Sequence, residues 1–492
     1  MPAASTITAS ILYALVQCPH RVWLDANGDF AMKDPANPFV ELLWERGNKY
    51  EREVVAGLGR PFVDLSALPA PQKEAETTAA MRRGEPLIYG GRISSDDLVG
   101  VPDLLRKEGA GYVAGDIKSG AGKEGSEGDE GKLKKHYAVQ LALYTEILES
   151  LGQSASRRAF VWDIHGDEVT YEFNSPQGPK TPETLWQFYE RTLVSARRIL
   201  GGHEVTLPAS ASVCKLCHWY TFCRESVKKT DDLTQVAELG RTRRDAMIDK
   251  IATVETLSVV NPDAFIRGKK TDFKRIGPDL LRRFHERARL LKTNGARPYL
   301  KLPVRLPATP RELHLDIETD PMRDHVYMHG FVLRDAADGS QVFKPIVAEA
   351  PTQDAERAAF AAALGVIRDE SSATLYVYSS YERTTYRKLQ ERYPDIATAE
   401  EIEELFAEPR SIDLYRVVRT STEWPTWDQS IKTLAKYLGF SWRDTNPSGA
   451  ASIEWYDKFI QTGDRSHLER ILQYNEDDCR AMVVLLDAIR AM

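Results

Sequence analysis

The sequence predicts a multidomain α/β protein, on three observations. Short apolar runs of strand character recur between longer segments of helical periodicity. Residues 100–120, GVPDLLRKEGAGYVAGDIKSG, read as two strands around a Gly-Ala-Gly turn. A second strand-to-helix series opens at RELHLDIETDP and closes the chain on the helix ILQYNEDDCRAMVVLLDAI. At 492 residues the chain is long enough for about three domains with real cores.

Composition is that of a soluble globular protein, and the expected location is cytoplasmic. No apolar run is long enough to span a membrane, and MPAASTITAS has no signal-peptide pattern. A formal net charge of −7 gives no global argument for nucleic-acid binding, so any such binding must come from local patches. Five cysteines are too few for a secreted disulfide framework, and their clustering points to metal instead.

The first block covers residues 1–228. SILYALVQCPHRVWLDANG reads as one helix with an apolar face and Cys18 near its end. ELLWERGNKYEREVVAGL is the next helix, with Gly47 and Glu51 one turn apart. Glu51 is either a solvated charge or a further metal carboxylate. In the hairpin, Asp103 heads the first strand. Asp116 and Lys118 lie two apart on the second and so share a face. Two carboxylates can hold a divalent cation, and a lysine beside them can stabilise a phosphate or orient a water. An ordinary polar strand face would look the same. SGAGKEGSEGDEGKLK, rich in glycine and charge, should be mobile. HYAVQLALYTEILESLG is a strongly periodic helix that puts Gln140 and Tyr144 on one face. SVCKLCHWYTFC then spaces Cys214, Cys217 and Cys223 as C-x2-C-x5-C, a metal-ligand spacing. Cys18 is the natural fourth ligand, and would clasp the two ends of the block together. His20 and His218 are spare candidates if the centre is zinc.

Cys18, Gly47–Glu51, Asp103, Asp116-Ile117-Lys118, Gln140/Tyr144 and Cys214/Cys217/Cys223 together resemble the RecB-like PD-(D/E)XK nucleases with an iron–sulfur clasp. AddB-type nucleases and the CRISPR-associated adaptation nuclease share that layout. The resemblance implies a restriction-endonuclease-like core, a central mixed sheet flanked by helices, that cleaves single-stranded DNA ends with magnesium or manganese. It makes Asp103 and Asp116 metal ligands and Lys118 an aid to hydrolysis, with Gln140 and Tyr144 supporting the site or the DNA. The four cysteines would hold a 4Fe-4S cluster, with zinc as the alternative. One position departs: these nucleases often have a histidine in the early helix, where this chain offers Tyr50.

The middle, residues 229–305, reads as helical. VAELGRTRRDAMIDKIATVETLSVV and FKRIGPDLLRRFHERARLL look like two related helical pairs and faintly resemble helix-hairpin-helix modules. Arg267 to Lys292 holds ten Lys/Arg against three Asp/Glu, an excess of +7 that suits phosphate contact or a solvated spacer helix. RPYLKLPVRLPATP is an extended linker.

The last block covers residues 306–492. Asp316 and Glu318 alternate onto one face of a strand as a chelating D-x-E pair. YMHGFVL and QVFKPIVA are further strands. TLYVYSSYERTTYRKL is a strand running into a helix, with Glu382 at the junction, and RSIDLYRVV adds Asp413. Tyr474 and Asp478 lie four apart in the final helix. This series resembles the DEDD-type 3′–5′ exonucleases of RNase H-like fold, in the subgroup marked by tyrosine. By that resemblance Asp316, Glu318 and Asp478 hold two metals and Tyr474 orients or deprotonates the attacking water. Such families usually carry aspartate at the second motif, where this chain offers Glu382 before Asp413. Cys479 reads as a plain helix residue. With SIKTLAKYLGF and SIEWYDKF between the last motifs, the whole chain resembles a bacterial RecB-like nuclease family with a C-terminal RNase H-like domain.

The expected function is thus a two-site, metal-dependent DNA nuclease, an exodeoxyribonuclease acting on single strands or ends in DNA repair or end processing, with RNA still open as a substrate. Two alternatives stand: one live site with the other domain binding DNA, or a non-catalytic nucleic-acid scaffold stapled by its metal cluster. No G-x-x-x-x-G-K-[ST] motif occurs, so any helicase motor would be a separate partner. Trp219, Tyr220 and Trp424 can stack bases, although core or surface roles suit each of them.

Overall fold

A computed structural model gives the fold of residues 6–124, 131–178, 181–445 and 448–492. The chain divides into two compact units, Met1–Pro208 with Val213–Phe222, and Ala209–Ser212 with Cys223–Met492. No helix among the described residues is long and apolar enough to cross a membrane.

The first unit is built around strand Gly111–Ile117, all of whose residues are buried. It lies inside a six-stranded sheet ordered Glu168–Glu172, Arg158–Trp162, Gly111–Ile117, Leu104–Glu108, Leu87–Tyr89, Val63–Asp64. The expected hairpin is present. Glu108 already pairs with Gly111, so the turn is Gly109 and Ala110, with Gly109 at φ +58° where glycine alone is unstrained. Strand Arg158–Trp162 adds in parallel on the other side. Its Phe160 ring fills the space above Gly115, where any Cβ would collide. Helix Lys135–Ser150 covers the sheet with a face of Ala138, Val139, Leu141, Ala142 and Ile147.

Two local expectations are corrected, those for the first helix and for the second helical pair. The first helix is two, Ala9–Gln17 and Pro19–Asn27. Pro19 pushes the preceding residue out of the helical region, so Cys18 sits extended at φ −159°, ψ 107° between them. Within the glycine-rich segment after the hairpin, Lys123–Glu124 pairs with Lys132–Leu133, while residues 125–130 lie outside the described residues. The second helical pair of the middle segment is one helix, Pro278–Lys292, with its proline at the start, and a small hairpin, Ile266–Arg267 against Lys270–Thr271, precedes it.

The second unit contains that middle segment and the last block. Leu233, Met247, Leu257, Phe273, Leu281 and Phe284 form a core of their own. The last block carries a five-stranded sheet ordered Gln341–Val347, His325–Asp335, Arg311–Asp320, Thr374–Val377, Ser411–Asp413. Its first three strands are antiparallel and the next two join in parallel. Helix Arg465–Arg490 packs on it through Cys479, Met482, Val483 and Leu486. In the linker, Tyr299–Leu300 pairs with Thr422–Glu423.

Candidate active sites

In the first unit, the hairpin gathers the expected residues. The Ile117 N–H donates to Asp103 Oδ2 at 2.7 Å, which ties the carboxylate heading one strand to the end of the next. Lys118 Nζ lies 2.8 Å from Asp116 Oδ2 in a buried, charge-assisted pair. Burial, then the Asp116 charge, pushes the Asp103 carboxyl well above the usual carboxylate range, with Glu51 adding to it. Burial works against the Lys118 ammonium, but Asp116 and Asp103 outweigh it and hold the lysine firmly charged. Glu51, from helix Pro38–Ala56, therefore stands in the same electrostatic cluster, its Oε1 accepting from Tyr89 Oη at 2.8 Å. Two buried carboxyls, one raised by burial and by its neighbour's charge and the other paired with a lysine, are a donor set that a divalent cation would suit.

Tyr144 reaches the cluster from below. Its hydroxyl donates to the Val101 carbonyl at 3.4 Å, and burial, then Asp116 and Asp103, raises its phenol. Gly100 makes room for it, since a Cβ there would lie 2.5 Å from the Tyr144 ring. Gln140 is half-buried on the same helix. Tyr50 donates to the Asp163 carbonyl. That commits its hydroxyl proton to the backbone of Asp163. Sequence reasoning missed Tyr89 and His136; burial, then Lys134 and Lys118, lowers the His136 imidazole to about 4.

These four cysteines are half-buried, and Cys18, Cys214 and Cys217 belong to the first unit while Cys223 belongs to the second. Burial raises the Cys217 thiol, with Cys18 and Cys214 close enough to add to the effect. Thiols suit a soft metal centre as donors, but among the described residues no three of these cysteines bring their sulfurs within 4.8 Å of one another. Trp219 beside them is fully buried and donates to Asp25 Oδ1 at 3.0 Å, and Trp424 is equally buried on Thr422. Neither is a stacking surface.

The C-terminal site is the more completely assembled. Asp316, Glu318 and Asp478 each bring a carboxylate oxygen within 4.8 Å of the others, the one such group of candidate metal ligands among the described residues. Strand alternation supplies the first two. The pairing register shifts between Glu318 and Thr319, a bulge of the kind that re-aims side chains at active sites. Asp478 comes from helix Arg465–Arg490, held by Trp442 Nε1 at 2.7 Å. Glu382 is buried in the first turn of helix Tyr381–Arg392. Its Oε2 has no hydrogen-bond partner, and its charge reaches Asp316. Asp413 instead caps helix Leu414–Ser421 by accepting from the Arg416 N–H, so Glu382 is the better second-motif carboxylate.

Burial, then Asp478, pushes the Glu318 carboxyl up to about 8. Burial and Asp413 bring Glu382 to about 8. Asp316 is raised for the same reason, burial first and then Asp478, Glu318 and Glu382. Four carboxyls whose charged forms are disfavoured by burial suit divalent cations, whose charge would stabilise those forms. Tyr474 stacks edge-on to Trp455, with a ring centroid separation of 6.3 Å.

Three neighbours went unassigned in the sequence. Asn475 Nδ2 donates to Asp316 Oδ2 at 2.7 Å. Its side chain occupies the space a Cβ at Gly330 would take. Lys432 Nζ donates to Tyr474 Oη at 2.7 Å, and its charge offsets those of Asp316, Glu318 and Asp478. Ser452 hydrogen-bonds to Glu318 and to Tyr327. Asn475 and Lys432 lie inside the quoted stretches YNEDDC and SIKTLAKYLGF, but nothing in their spacing marks them. Cys479, expected to be a plain helix residue, is fully buried and donates to the Gly330 carbonyl at 3.4 Å.

Fold and carboxylate geometry define an α/β protein with a buried carboxylate cluster in each unit, of which Asp316, Glu318 and Asp478 can together hold a divalent cation. The comparisons with known proteins make the class specific. Residues 36–224 match the PD-(D/E)XK nuclease superfamily and residues 313–490 match the RNase H superfamily. The chain carries a PD-(D/E)XK nuclease domain and a C-terminal RNase H-like domain, and both support a metal-dependent, hydrolytic nuclease with nucleic acid as its substrate. Comparison with curated proteins returns no match.

Proposed function

We propose that the protein is a DNA exonuclease that processes single strands or duplex ends, with one metal-dependent site in each nuclease domain. The observation that carries this reading is the convergence of Asp316, Glu318 and Asp478 within 4.8 Å, next to the Tyr474–Lys432 pair. At the C-terminal site, Asp316, Glu318 and Asp478 would hold magnesium or manganese, with Glu382 completing the set. At the first site Glu51, Asp103 and Asp116 do the same. The bound ions supply Lewis-acid charge and an activated water. Tyr474 orients the attacking water, and Lys432 fixes the phenol that does so. Asn475 pins Asp316 in place. Lys118 stabilises the phosphate, and Gln140 and Tyr144 support its cluster. Cys18, Cys214, Cys217 and Cys223 would hold a 4Fe-4S cluster as a structural clasp, zinc being the alternative. Action on DNA ends places the protein in repair or end processing in the cytoplasm, and a separate helicase is the partner that would open its substrate.

A second reading, with the C-terminal site alone catalytic and the first domain binding DNA, is favoured by one contrast. The three C-terminal carboxylates already converge, whereas the first site's Asp116 is engaged by Lys118 at 2.8 Å. Digestion of an end-labelled single strand with manganese tests both. Loss of cleavage in Asp316→Ala with DNA binding retained supports the proposal. Further loss in Asp116→Ala assigns activity to both sites, and undiminished cleavage in Asp116→Ala supports the second reading. Cleavage by neither wild type nor variants would sink the enzyme reading.

A further inference from the structure

Beside the first site stands a cation that the fold does not neutralise. Lys134 is the residue between strand Lys132–Leu133 and helix Lys135–Ser150. Its backbone is built into the core. The Lys134 N–H donates to the hydroxyl of Tyr171, a fully buried residue whose own proton goes to the Gly122 carbonyl at 2.6 Å. Gly122 is held in turn, its N–H donating to Asp163 Oδ2 at 2.9 Å. The start of the helix is thereby fixed against the sheet that carries Asp116.

From that anchored position Lys134 Nζ reaches to 5.1 Å from the centre of the Tyr137 ring, and Lys118 Nζ approaches the same ring at 5.6 Å. An ammonium over an aromatic face is attracted to it, which narrows the swing of a long side chain. The ring is braced in its turn. His136 meets it edge-on at 4.6 Å and meets Tyr13 edge-on at 4.9 Å. Burial, then Lys134 and Lys118, lowers the His136 imidazole to about 4, so it adds no charge of its own near neutral pH. Two lysines therefore converge on one fixed ring.

They differ in what they face. Lys118 is engaged by Asp116 at 2.8 Å and feels Asp103 as well. Among the described residues no carboxylate stands at ion-pair distance from Lys134, and Glu124 and Asp163 act on it only from farther off. Lys134 is also only partly exposed. Keeping a half-buried ammonium without a counter-ion costs free energy, which an arriving anion would recover. The site itself supplies the reason for one. Asp103, Asp116 and Glu51 repel a phosphodiester backbone, and Lys118 is already spent on them. A metal answers that repulsion at the phosphate it touches, but a phosphate further along the strand needs a cation of its own. We propose that Lys134 is a phosphate-binding residue of the first site, gripping the backbone of a single strand at a phosphate beside the scissile one while Tyr137 aims its ammonium.

The proposal deepens the nuclease reading and rests on it for the identity of the strand, but its test needs no cleavage. Fluorescence anisotropy of a labelled oligothymidylate with the full chain, in chelator, gives the affinity across a series of sodium chloride concentrations. In Lys134→Gln the slope of log affinity against log salt should fall by about 0.7, the share of one single-strand phosphate contact. Lys134→Arg should restore it. Lys135→Gln, whose ammonium lies over Phe188 at 4.9 Å instead, should keep the wild-type slope. The slopes are read at a temperature where melting shows every variant folded, so a loss of stability does not mimic a lost contact. An unchanged slope in Lys134→Gln, an equal fall in Lys135→Gln, or no binding by the wild type overturns the proposal. A strand bound through Lys134 yet cut under no metal would leave the contact standing and overturn the nuclease reading alone.

Discussion

Replacing Glu318 with glutamine should stabilise the metal-free protein at alkaline pH while abolishing cleavage at the C-terminal site. Burial and the Asp478 charge push the Glu318 carboxyl up to about 8, against an ordinary value of 4.5. A group whose folded value is raised holds its proton more tightly in the folded state. Its stabilisation is complete below about 4.5 and is lost as pH rises through about 8. At about 1.4 kcal/mol per pKa unit, that gap sets a ceiling of about 5 kcal/mol. The ceiling is shared with Asp316 and Asp478, so removing one charge recovers on the order of 1–2 kcal/mol. In a unit of this size that raises the melting midpoint by about 2–8 °C. Metal reverses the order, because the variant lacks a ligand charge and should bind manganese more than ~100-fold more weakly, beyond the usual cost of losing an outer-shell partner. The assay is thermal melting at pH 5 and pH 8, with chelator and with manganese, alongside strand digestion in an Asp116→Ala background that isolates the second site. A Glu318→Gln protein that melts below wild type in chelator at pH 8, or that digests the strand at the rate of its Asp116→Ala parent, refutes the reasoning.

The other expectations follow from single contacts. Lys432→Met should lower kcat about 10- to 100-fold at saturating manganese with KM little changed, and Lys432→Arg should restore part of it; steady-state digestion in the same background reads this. Gly330→Ala drives a methyl into Asn475. It should cost about 1–3 kcal/mol in denaturant unfolding and weaken manganese binding measured by calorimetry. Anaerobic purification followed by iron, sulfide and zinc analysis should give about four irons per chain, lost in Cys217→Ser. Changing Lys269, Lys270, Lys274 and Arg275 together to alanine should flatten the salt dependence of single-strand binding by up to about three powers of salt concentration, whereas Arg287→Ala should lower stability instead.

Both domains were legible because their chemistry lies on regular elements. Asp116 and Lys118, like Asp316 and Glu318, share strand faces by the period of two, and Tyr474 and Asp478 share a helix face by the period of 3.6. Those periods hold whatever the surroundings, so the spacing carried directly into the clusters. The break at Cys18 was legible in principle from Pro19, whose ring excludes a helical neighbour. Asn475 and Lys432 were not, since their roles depend on a register between elements more than 40 residues apart. Asn475 reaches Asp316 only because Gly330, on the neighbouring strand, has no side chain. No local pattern records that vacancy.

Charge counting is where reading along the chain falls shortest, and the reason is physical. The +7 excess between Arg267 and Lys292 suggested a phosphate-binding helix. Folding commits most of that helix's cations. Arg287 is buried against Glu423 and Glu238, Arg283 reaches Glu423, Arg289 bonds Glu286, and Lys292 bonds Asp231. A guanidinium buried between two carboxylates cannot turn outward to a phosphate without stranding both. What stays exposed is the neighbouring hairpin and loop with Lys269, Lys270, Lys274 and Arg275, a smaller patch displaced toward the start of the helix. A count along the sequence sums both populations. Only the partners, set by distant residues such as Glu423, separate the charges that hold the fold together from those left to meet a nucleic acid.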